Sequence, residues 1–428
     1  MKRDFYLLQT ASFLGTIATR CLEVAVAWWV LRETGNPALF GALVALGIGA
    51  DVLSRGALAW LGDRFDGRVV VLCCYVAGGL ISSTLAVAAW TGTYSLWLVS
   101  AAIVALGAGL GVREPLQMSL IRELVQRADV ADAVRIRSAV MSSSAFAGPI
   151  VAGALIGPFG YRTVLTLSAA VVVSSAVLVL VMDRQETVPG AASGGAARWV
   201  GDVVAGFRAV RRVTPEWRLA ITTMVVNFAL YPVFAVIIPI VVVERFAAES
   251  WVLSVVESAF AVGLIAGSTF VTRRITGLLG RRRTVVSGFG ALGLGFVGAG
   301  AAGGLAGSGP LVFSAVSSLF LLAAGTGLSM VVVNTGAVRV LATPSSYRNR
   351  MVASVSFLSG IVMPLGALLG GLISGGLNSS ASLVILGLLI CACAAVISRD
   401  RVLGRFLSMS DDDLDGAYAK HFPEAFVA

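Results

Sequence analysis

Ionisable side chains inside long apolar stretches are the residues of this sequence most able to do chemistry. Arg20 and Glu23 stand three residues apart in the first stretch, and Asp51 and Arg55 stand four apart in the second. Both spacings place the two charges on one face of a helix. An unpaired charge is costly in apolar surroundings, so such residues normally face one another or a polar cavity.

Three more ionisable residues lie in later stretches: Arg113 and Glu114 in the fourth, and Glu257 in the eighth. One hypothesis is that the charges neutralise one another in an ion-pair network and bind nothing. The other is that some line a cavity, bind a charged or zwitterionic substrate and carry a coupling proton. Glu23 and Glu257 are better candidates than Glu114 for the residue that carries the proton. A carboxyl group away from cations is more easily protonated, and Glu114 adjoins Arg113.

The composition requires these residues to be held by membrane-spanning helices. The chain is 57% hydrophobic and 13% charged, with a mean hydropathy of +0.90, far from the balance of a soluble protein. Only helices and closed barrels satisfy their backbone in lipid, and the short alternating strands of a barrel are absent from the sequence. Twelve apolar runs fall at about 5–31, 38–61, 69–91, 95–121, 134–158, 161–182, 218–243, 250–272, 284–305, 310–335, 350–375 and 378–398.

The distribution of arginine predicts the topology. The formal charge is +9, and the arginines concentrate in every second loop. The positive-inside rule therefore places both termini in the cytoplasm and the first run as a retained helix. Because the arginines form no continuous patch, a nucleic-acid partner is not expected.

Four segments follow from this pattern. We predict an amino-terminal six-helix bundle over 1–182, a cytoplasmic linker over 183–217, a second six-helix bundle over 218–398 and an acidic cytoplasmic tail over 399–428. In the linker, apolar and basic side chains recur on opposite faces of one amphipathic helix: Val203, Phe207 and Val210 against Arg208, Arg211 and Arg212. The tail carries Asp411–Asp413 and is expected to be solvated, with a solubilising or a regulatory role.

Signs of enzyme chemistry are missing from the sequence. The five cysteines lie in apolar runs, and the single histidine, His421, lies in the tail. The glycine-rich runs lack the Lys-Ser/Thr of a phosphate-binding loop. We therefore expect no enzyme activity, no cofactor and no metal. If the chain moves a molecule across the membrane, the lack of a phosphate-binding loop in the sequence predicts that an ion gradient drives the movement, most simply a gradient of protons.

The loop after the second run, Ala-Trp-Leu-Gly-Asp-Arg-Phe-Asp-Gly-Arg over 59–68, resembles the loop signature of the major facilitator superfamily. The stretch with Arg281 and Arg282 matches it in the second half, as expected of two repeated bundles. The resemblance implies that Asp63, Arg64 and Arg68 help to close the cytoplasmic side. The alternative is that these charges only set the topology.

Two further stretches resemble the drug- and siderophore-exporting branch of this superfamily. Gly148-Pro149, followed by Gly153, is similar to the antiporter motif of its fifth helix, and Asn227 precedes two prolines in the seventh. The alternative is a role in helix packing alone, because small residues let helices approach closely. The resemblance implies cavity-lining roles for the first, fourth and eighth helices, and hence for the charges they carry.

Together these observations predict an all-α membrane protein with a major facilitator fold. We expect a monomeric, multi-pass protein of the bacterial inner membrane that exports a small polar or zwitterionic molecule (a natural product, drug or siderophore) by alternating access, coupled to protons. An importer or uniporter of a charged metabolite is the alternative. A sensor or scaffold would need a soluble partner-binding domain, for which the loops are too short.

Overall fold

A computed structural model describes residues 3–57, 65–125, 130–183, 204, 206–246, 249, 251–376 and 378–426. Within these ranges the regular elements are helices. In chain order they are α1 (Arg3–Thr34), α2 (Pro37–Ala57), α3 (Gly67–Thr91), α4 (Leu96–Leu124), α5 (Val130–Leu180), α6 (Thr214–Pro232), α7 (Ile238–Phe246), α8 (Trp251–Ala266), α9 (Thr272–Leu279), α10 (Arg281–Ala301), α11 (Pro310–Ala342), α12 (Ser345–Gly376), α13 (Ser379–Arg399), α14 (Arg401–Leu407), α15 (Asp411–Leu414) and α16 (Ala417–His421). Two π-helical turns, Val233–Ile237 and Gly267–Val271, join α6 to α7 and α8 to α9.

The described helices confirm a polytopic membrane protein. Eleven helical stretches in the described ranges are long and apolar enough to cross a bilayer. One of them belongs to α5, whose 51 residues would extend about 76 Å as a straight helix, against about 30 Å of hydrocarbon. Gly160 breaks α5 with φ 77° and ψ 159°, inside the predicted turn between the fifth and sixth helices. The count of twelve spans stays a prediction.

The short connections are closed by local caps. Asp66 accepts a hydrogen bond from the backbone N–H of Arg68 at the start of α3, and Asn378 accepts one from Ala381 at the start of α13. Each side chain satisfies a donor that the first turn of a helix leaves free. Gly92 ends α3 in the left-handed region at φ 70°, where glycine has no Cβ to strain the backbone.

The chain divides into two compact units. The amino-terminal unit comprises Met1–Ala197 and Val242–Ser254, and the carboxy-terminal unit comprises Arg198–Val241 and Val255–Ala428. The grouping of Val242–Ser254 with the first unit was not anticipated from the sequence.

The helices pair in the same way within each unit. In the amino-terminal unit α1 packs on α5, α2 packs on α4, and α3 packs on α4 and α5. In the carboxy-terminal unit α6 packs on α12, the α8–α9 stretch packs on α11, and α10 packs on α11 and α13. This correspondence is what an internal repeat of six helices produces.

The described part of the linker includes one short helix. A short helix over 206–212 buries Val210 fully and leaves Arg208 and Arg211 exposed. Phe207 lies edge-on to Trp217 of α6, with the ring centroids 6.0 Å apart. The predicted Val203 lies outside the described residues.

The tail packs on the carboxy-terminal unit, so the expectation of a solvated tail is wrong. Phe406, Leu407 and Leu414 are at most 4% exposed, and the ring of Phe406 packs against those of Tyr418 and His421. The aspartates of α15 remain exposed. The tail packs because apolar residues lie between its charged ones. The free energy gained by burying these apolar side chains outweighs the tendency of the acidic residues to stay in water.

The tail also completes a buried polar cluster near the starts of α6 and α16 and the end of α11. Arg339 Nε lies 2.9 Å from Glu216 Oε1, and the hydroxyl of Tyr418 donates to Glu216 Oε2 at 3.1 Å. Arg339 also donates to Thr223 Oγ1 at 3.1 Å. Burial beside the Glu216 carboxylate raises the pKa of Tyr418 well above its usual range. The cluster therefore holds Tyr418 as a neutral hydrogen-bond donor.

Candidate functional site: a charged cluster in the amino-terminal unit

Three charged side chains meet between α2 and α4. Arg55 Nε donates to Asp51 Oδ1 at 2.9 Å, and Arg55 Nη2 donates to Asp51 Oδ2 at 3.0 Å. Arg55 Nη2 also donates to Glu114 Oε2 at 2.7 Å. One guanidinium thus binds two carboxylates, a geometry for which its planar set of donors is suited. The predicted Asp51–Arg55 pair is confirmed, and Glu114 joins it from the neighbouring helix.

The cluster remains accessible to a ligand. The side chains of Arg55, Asp51 and Glu114 are 43%, 15% and 21% exposed. A charged group within a membrane-spanning segment that keeps this much open surface faces a polar space or a partner rather than a sealed core. Such an arrangement can bind both ends of a zwitterion, a cationic group on the carboxylates and an anionic group on the guanidinium.

A second ion pair lies nearby on α1. Arg20 Nη1 lies 2.8 Å from Glu23 Oε2, with the two side chains 28% and 48% exposed. Arg20 is also close enough to Asp51 to interact with its charge. The two ion pairs and Glu114 together form one group of charges. Its three carboxylates belong to Glu23, Asp51 and Glu114, and its two guanidinium groups belong to Arg20 and Arg55. When all are ionised it carries an excess of one negative charge.

Arg113 does not belong to this cluster, although it adjoins Glu114 in the sequence. Arg113 is 7% exposed, and its guanidinium carbon lies 4.4 Å from the ring centroid of Tyr75 on α3. Consecutive residues of an α-helix point about 100° apart. Glu114 therefore faces α2, whereas Arg113 faces α3.

The residues around Tyr75 form a buried polar chain that sequence reasoning missed. Arg137 donates to Ser12 Oγ at 2.7 Å, Ser12 donates to Gln117 Oε1 at 3.0 Å, and Gln117 donates to the Tyr75 hydroxyl at 3.1 Å. Arg137 is only 4% exposed. The available signal was one polar residue in each of four apolar helices, a pattern typical of hydrogen bonds between helices.

Glycines on α4 bring it close enough to α2 to form the cluster. A Cβ on Gly111 would lie 2.2 Å from the backbone oxygen of Asp51, and one on Gly107 would lie 2.2 Å from that of Gly47. Real Cβ atoms do not approach this closely, so glycine is required at these two positions for the backbones to touch. The missed signal is the spacing of four between Gly107 and Gly111, which places small residues on one helix face.

The antiporter-like motif performs the same task for α1. A Cβ on Gly148 would lie 2.3 Å from the Cβ of Arg20, and the thiol of Cys21 donates to the Gly148 carbonyl at 3.1 Å. Pro149 lies inside α5, and Gly153 is buried. The motif therefore fixes the position of Arg20, which joins packing to the charged site.

The predicted residues of the carboxy-terminal unit lie in less polar surroundings. Glu257 on α8 is 7% exposed, and no cation among the described residues lies within ion-pair distance of it. Asn227 is partly buried on α6, ahead of Pro232 and the π-helical turn Val233–Ile237. Such turns are frequent at functional sites.

Two of the predicted gating residues, Arg68 and Arg282, bind helix ends. Arg68 donates to the carbonyls of Val179 and Leu180 at 3.2 and 2.8 Å, at the end of α5. Arg282 donates to the carbonyl of Ser398 at 2.8 Å, at the end of α13. Each arginine is the second residue of its helix and binds the last long helix of its own bundle. A cation there satisfies free carbonyls and complements the helix dipole.

The other members of the predicted gate are placed differently. Arg281 forms an ion pair with Asp411 of the tail and donates to the carbonyl of Met409 at 3.4 Å. Asp63 and Arg64 lie outside the described residues, so their role stays a prediction.

Comparison with known proteins agrees with this repeated architecture. The family model of the Major Facilitator Superfamily matches residues 8–341. The chain belongs to this superfamily. Its members' fold accounts for the two repeated helix bundles, and a superfamily transporter implies a small-molecule substrate and a membrane setting. The family and fold point to a transporter rather than an enzyme.

Solved structures of superfamily type share the fold at low sequence identity. The nucleoside transporter NupG aligns over 96% of this chain and 100% of its own, with 16% identity and a TM-score of 0.67. A bacterial homolog of the lysosomal transporter Spinster, in an inward-facing and unoccupied conformation, aligns over 100% and 99%, with 14% identity and a TM-score of 0.65. The POT family transporter PepTSo aligns over 95% and 98%, with 10% identity and a TM-score of 0.66.

These likenesses show the fold of this superfamily transporter and not its substrate. A comparison with curated protein sequences gave no match. The function beyond transport therefore rests on the residues of the site.

Proposed function

We propose that this transporter exports a small polar or zwitterionic molecule and couples the export to protons. The observation that carries the proposal is the Asp51–Arg55–Glu114 cluster, in which charges of both signs are partly exposed within membrane-spanning helices. A purely apolar cargo would gain nothing from this arrangement, whereas a zwitterion can form an ion pair at each end. Natural products, drugs and siderophores include molecules of this kind.

Two glutamates are the proposed proton carriers. Glu257 is buried with no cation within ion-pair distance among the described residues, so its ionised form has no charge to stabilise it. Glu23 is more exposed and is paired with Arg20, which makes it the weaker choice. Protonation of Glu257 on one side of the membrane and its release on the other would link substrate movement to the proton gradient.

An importer or uniporter of a charged metabolite is the second candidate. The excess negative charge of the cluster favours it, because a cationic metabolite would bind there without a proton. The two candidates differ in direction and in coupling, and both fit the superfamily fold. We propose a monomeric protein of the bacterial inner membrane in either case.

Reconstitution into proteoliposomes tests the proposal. We expect an imposed pH gradient to drive flux of a zwitterionic substrate against its concentration, and Glu257→Gln to abolish the driven flux while leaving exchange intact. Glu33→Gln, an exposed residue near the end of α1, is the matched control and should behave as the parent protein. Flux in the same direction without a pH gradient would favour the uniporter.

Vesicle orientation separates export from import. Everted membrane vesicles should accumulate the substrate if the protein is an exporter, and right-side-out vesicles should accumulate it if the protein is an importer. Equal driven flux in the parent and in Glu257→Gln, Glu23→Gln and their double variant would contradict the coupling.

A further inference from the structure

An apolar crevice runs along the side of the amino-terminal unit between α3 and α4. Its volume is about 460 Å³, within the range of ligand pockets, and its walls include Gly78, Ile81 and Leu106. Cys73 and Ala105 line it and are exposed at the surface of the chain. Because both helices cross the membrane, the crevice opens at the depth of the hydrocarbon core of the bilayer, where apolar molecules are abundant.

One charged residue, Arg113, lines this apolar crevice. It is 7% exposed, and its Nε is buried without a hydrogen-bond partner. Among the described residues no carboxylate lies within ion-pair distance of it. The ring of Tyr75 covers one face of the guanidinium, and a contact of this kind does not use the N–H donors in the guanidinium plane. A buried cation in this state is costly unless an anion compensates it.

The depth of Arg113 suits the head of an amphiphile. Trp97, near the start of α4, is 87% exposed, as aromatic residues at a membrane interface are. The helical rise puts Arg113 about 24 Å along α4 from Trp97, and the hydrocarbon core is about 30 Å thick. Arg113 therefore lies close to the opposite boundary of the core, and Ile81 and Ala105 lie further inside it.

We propose that this crevice binds a single-chain amphiphilic carboxylic acid, of the kind that fatty acids represent. The carboxylate binds the edge of the Arg113 guanidinium, to which its planar pair of oxygens is matched. The alkyl chain occupies the apolar part of the crevice towards Ile81 and Ala105, where contact with lipid or water is replaced by close packing. The site is separate from the Asp51–Arg55–Glu114 cluster, and the proposal does not depend on the transported substrate.

Photo-crosslinking of the full-length protein tests this site. The protein is placed in phosphatidylcholine nanodiscs with palmitic acid that carries a photoreactive diazirine in its chain, and labelled peptides are identified by mass spectrometry. We expect labels on the crevice residues of α3 and α4, and at least tenfold stronger competition by palmitic acid than by its methyl ester. Arg113→Gln should reduce the labelling about tenfold. Arg162→Gln should not, although Arg162 also packs on aromatic rings, those of Trp90 and Tyr161.

A second pair of variants tests the crevice without changing the buried arginine. Ala105→Trp fills the crevice from an exposed position and should abolish the labelling. Val104→Trp, the neighbouring exposed residue that does not line the crevice, should leave it unchanged. Equal competition by the methyl ester, or labelling that ignores both Arg113→Gln and Ala105→Trp, would overturn the proposal. The proposal would also be overturned if phosphatidylglycerol, added to the nanodisc lipid, competed with the labelling as strongly as palmitic acid does. That result would make a lipid headgroup the occupant.

Discussion

The two units use the same close helix contact but surround it with different chemistry. In the amino-terminal unit α4 touches α2 where Gly111 meets the backbone of Asp51, beside the bridge from Arg55 to Glu114. In the carboxy-terminal unit α11 touches α8 where Gly325 meets the backbone of Phe260. A Cβ on either glycine would lie within 2.2 Å of a carbonyl oxygen. The packing is shared, whereas the charges occur at only one contact.

A second pair of contacts shows the same contrast. Gly148 of α5 lets Arg20 of α1 approach, and Gly366 of α12 lets Phe228 of α6 approach. The first contact positions an ion pair, and the second positions an aromatic ring. The fold thus requires small residues at fixed places, and the side chains next to them are free to carry function. The first unit carries the charged site beside such contacts, whereas Glu257 of the second unit has no cation within ion-pair distance among the described residues.

The largest expected effect comes from filling a close contact. Gly111→Ala places a Cβ 2.2 Å from a backbone oxygen that cannot move aside, and overpacking of this kind costs about 1–3 kcal/mol. Gly109→Ala on the same helix meets nothing within 4 Å and should gain up to about 1 kcal/mol from helix propensity. Thermal unfolding in detergent measures both variants.

The same experiment applies to the carboxy-terminal unit. Gly325→Ala should destabilise the protein as Gly111→Ala does, and Gly336→Ala, which meets nothing within 4 Å, should not. Only Gly111→Ala should also reduce transport beyond its effect on folded protein, because it displaces Asp51. Comparable stability of all four variants would contradict the shared packing.

A smaller stability effect but a clear functional one is expected at the bridge. Arg55→Ala leaves Asp51 and Glu114 facing each other without their cation, and transport should fall at least tenfold. The loss in stability should stay within about 1 kcal/mol, because the pair is partly exposed to solvent screening. Arg55→Lys should retain part of the activity, since it keeps the charge but not the two-sided geometry.

The carboxy-terminal unit supplies the matched control for the bridge. Thr326 donates to the carbonyl of Gly263 at 3.2 Å across the corresponding contact. Thr326→Val removes this hydrogen bond and should cost about 1 kcal/mol while leaving transport intact. A loss of transport as large as that of Arg55→Ala would mean that the two contacts do not differ in function.

The smallest effect is expected at the tail. Tyr418→Phe removes the hydrogen bond to Glu216 and should lower the stability of the docked tail by about 1 kcal/mol. We expect trypsin to cleave this variant faster at Lys420. Asp412→Asn, at an exposed position of the same tail, should not change the cleavage rate.

The pH dependence of the tail follows from the raised pKa of Tyr418. The docked hydroxyl is protonated in the folded state beyond the usual tyrosine pKa of about 10. The contact is therefore fully present below about pH 10 and is lost as the pH rises through the folded value. Release of the tail between pH 6 and pH 9 would contradict this assignment.

Much of the fold could be predicted because its causes are local in the chain. Apolar runs of bilayer length, arginine-rich loops and a glycine such as Gly160 at a chain reversal each act within a few residues. The Asp51–Arg55 and Arg20–Glu23 pairs were predictable for the same reason, since helical spacing alone places them together. Arg208, Arg211 and Val210 took their predicted faces of the linker helix.

The errors concern contacts between segments distant in sequence. Whether Glu114 meets Arg55 or Arg113 depends on which helix lies beside each face of α4. Whether the tail is solvated depends on an apolar surface of the carboxy-terminal unit that only the packed helices create. No spacing within one helix carries that information.

The sequence by itself determined the class of this protein: a membrane-spanning chain of two repeated bundles with charges inside its helices. Lipid imposes that result, because each helix must satisfy its own backbone and present an apolar surface. The tertiary structure alone decided which charges share a partner. A glycine contact such as that of Gly111 with Asp51 brings two helices together within hydrogen-bond distance, and it leaves Arg113 on the opposite side without a carboxylate among the described residues.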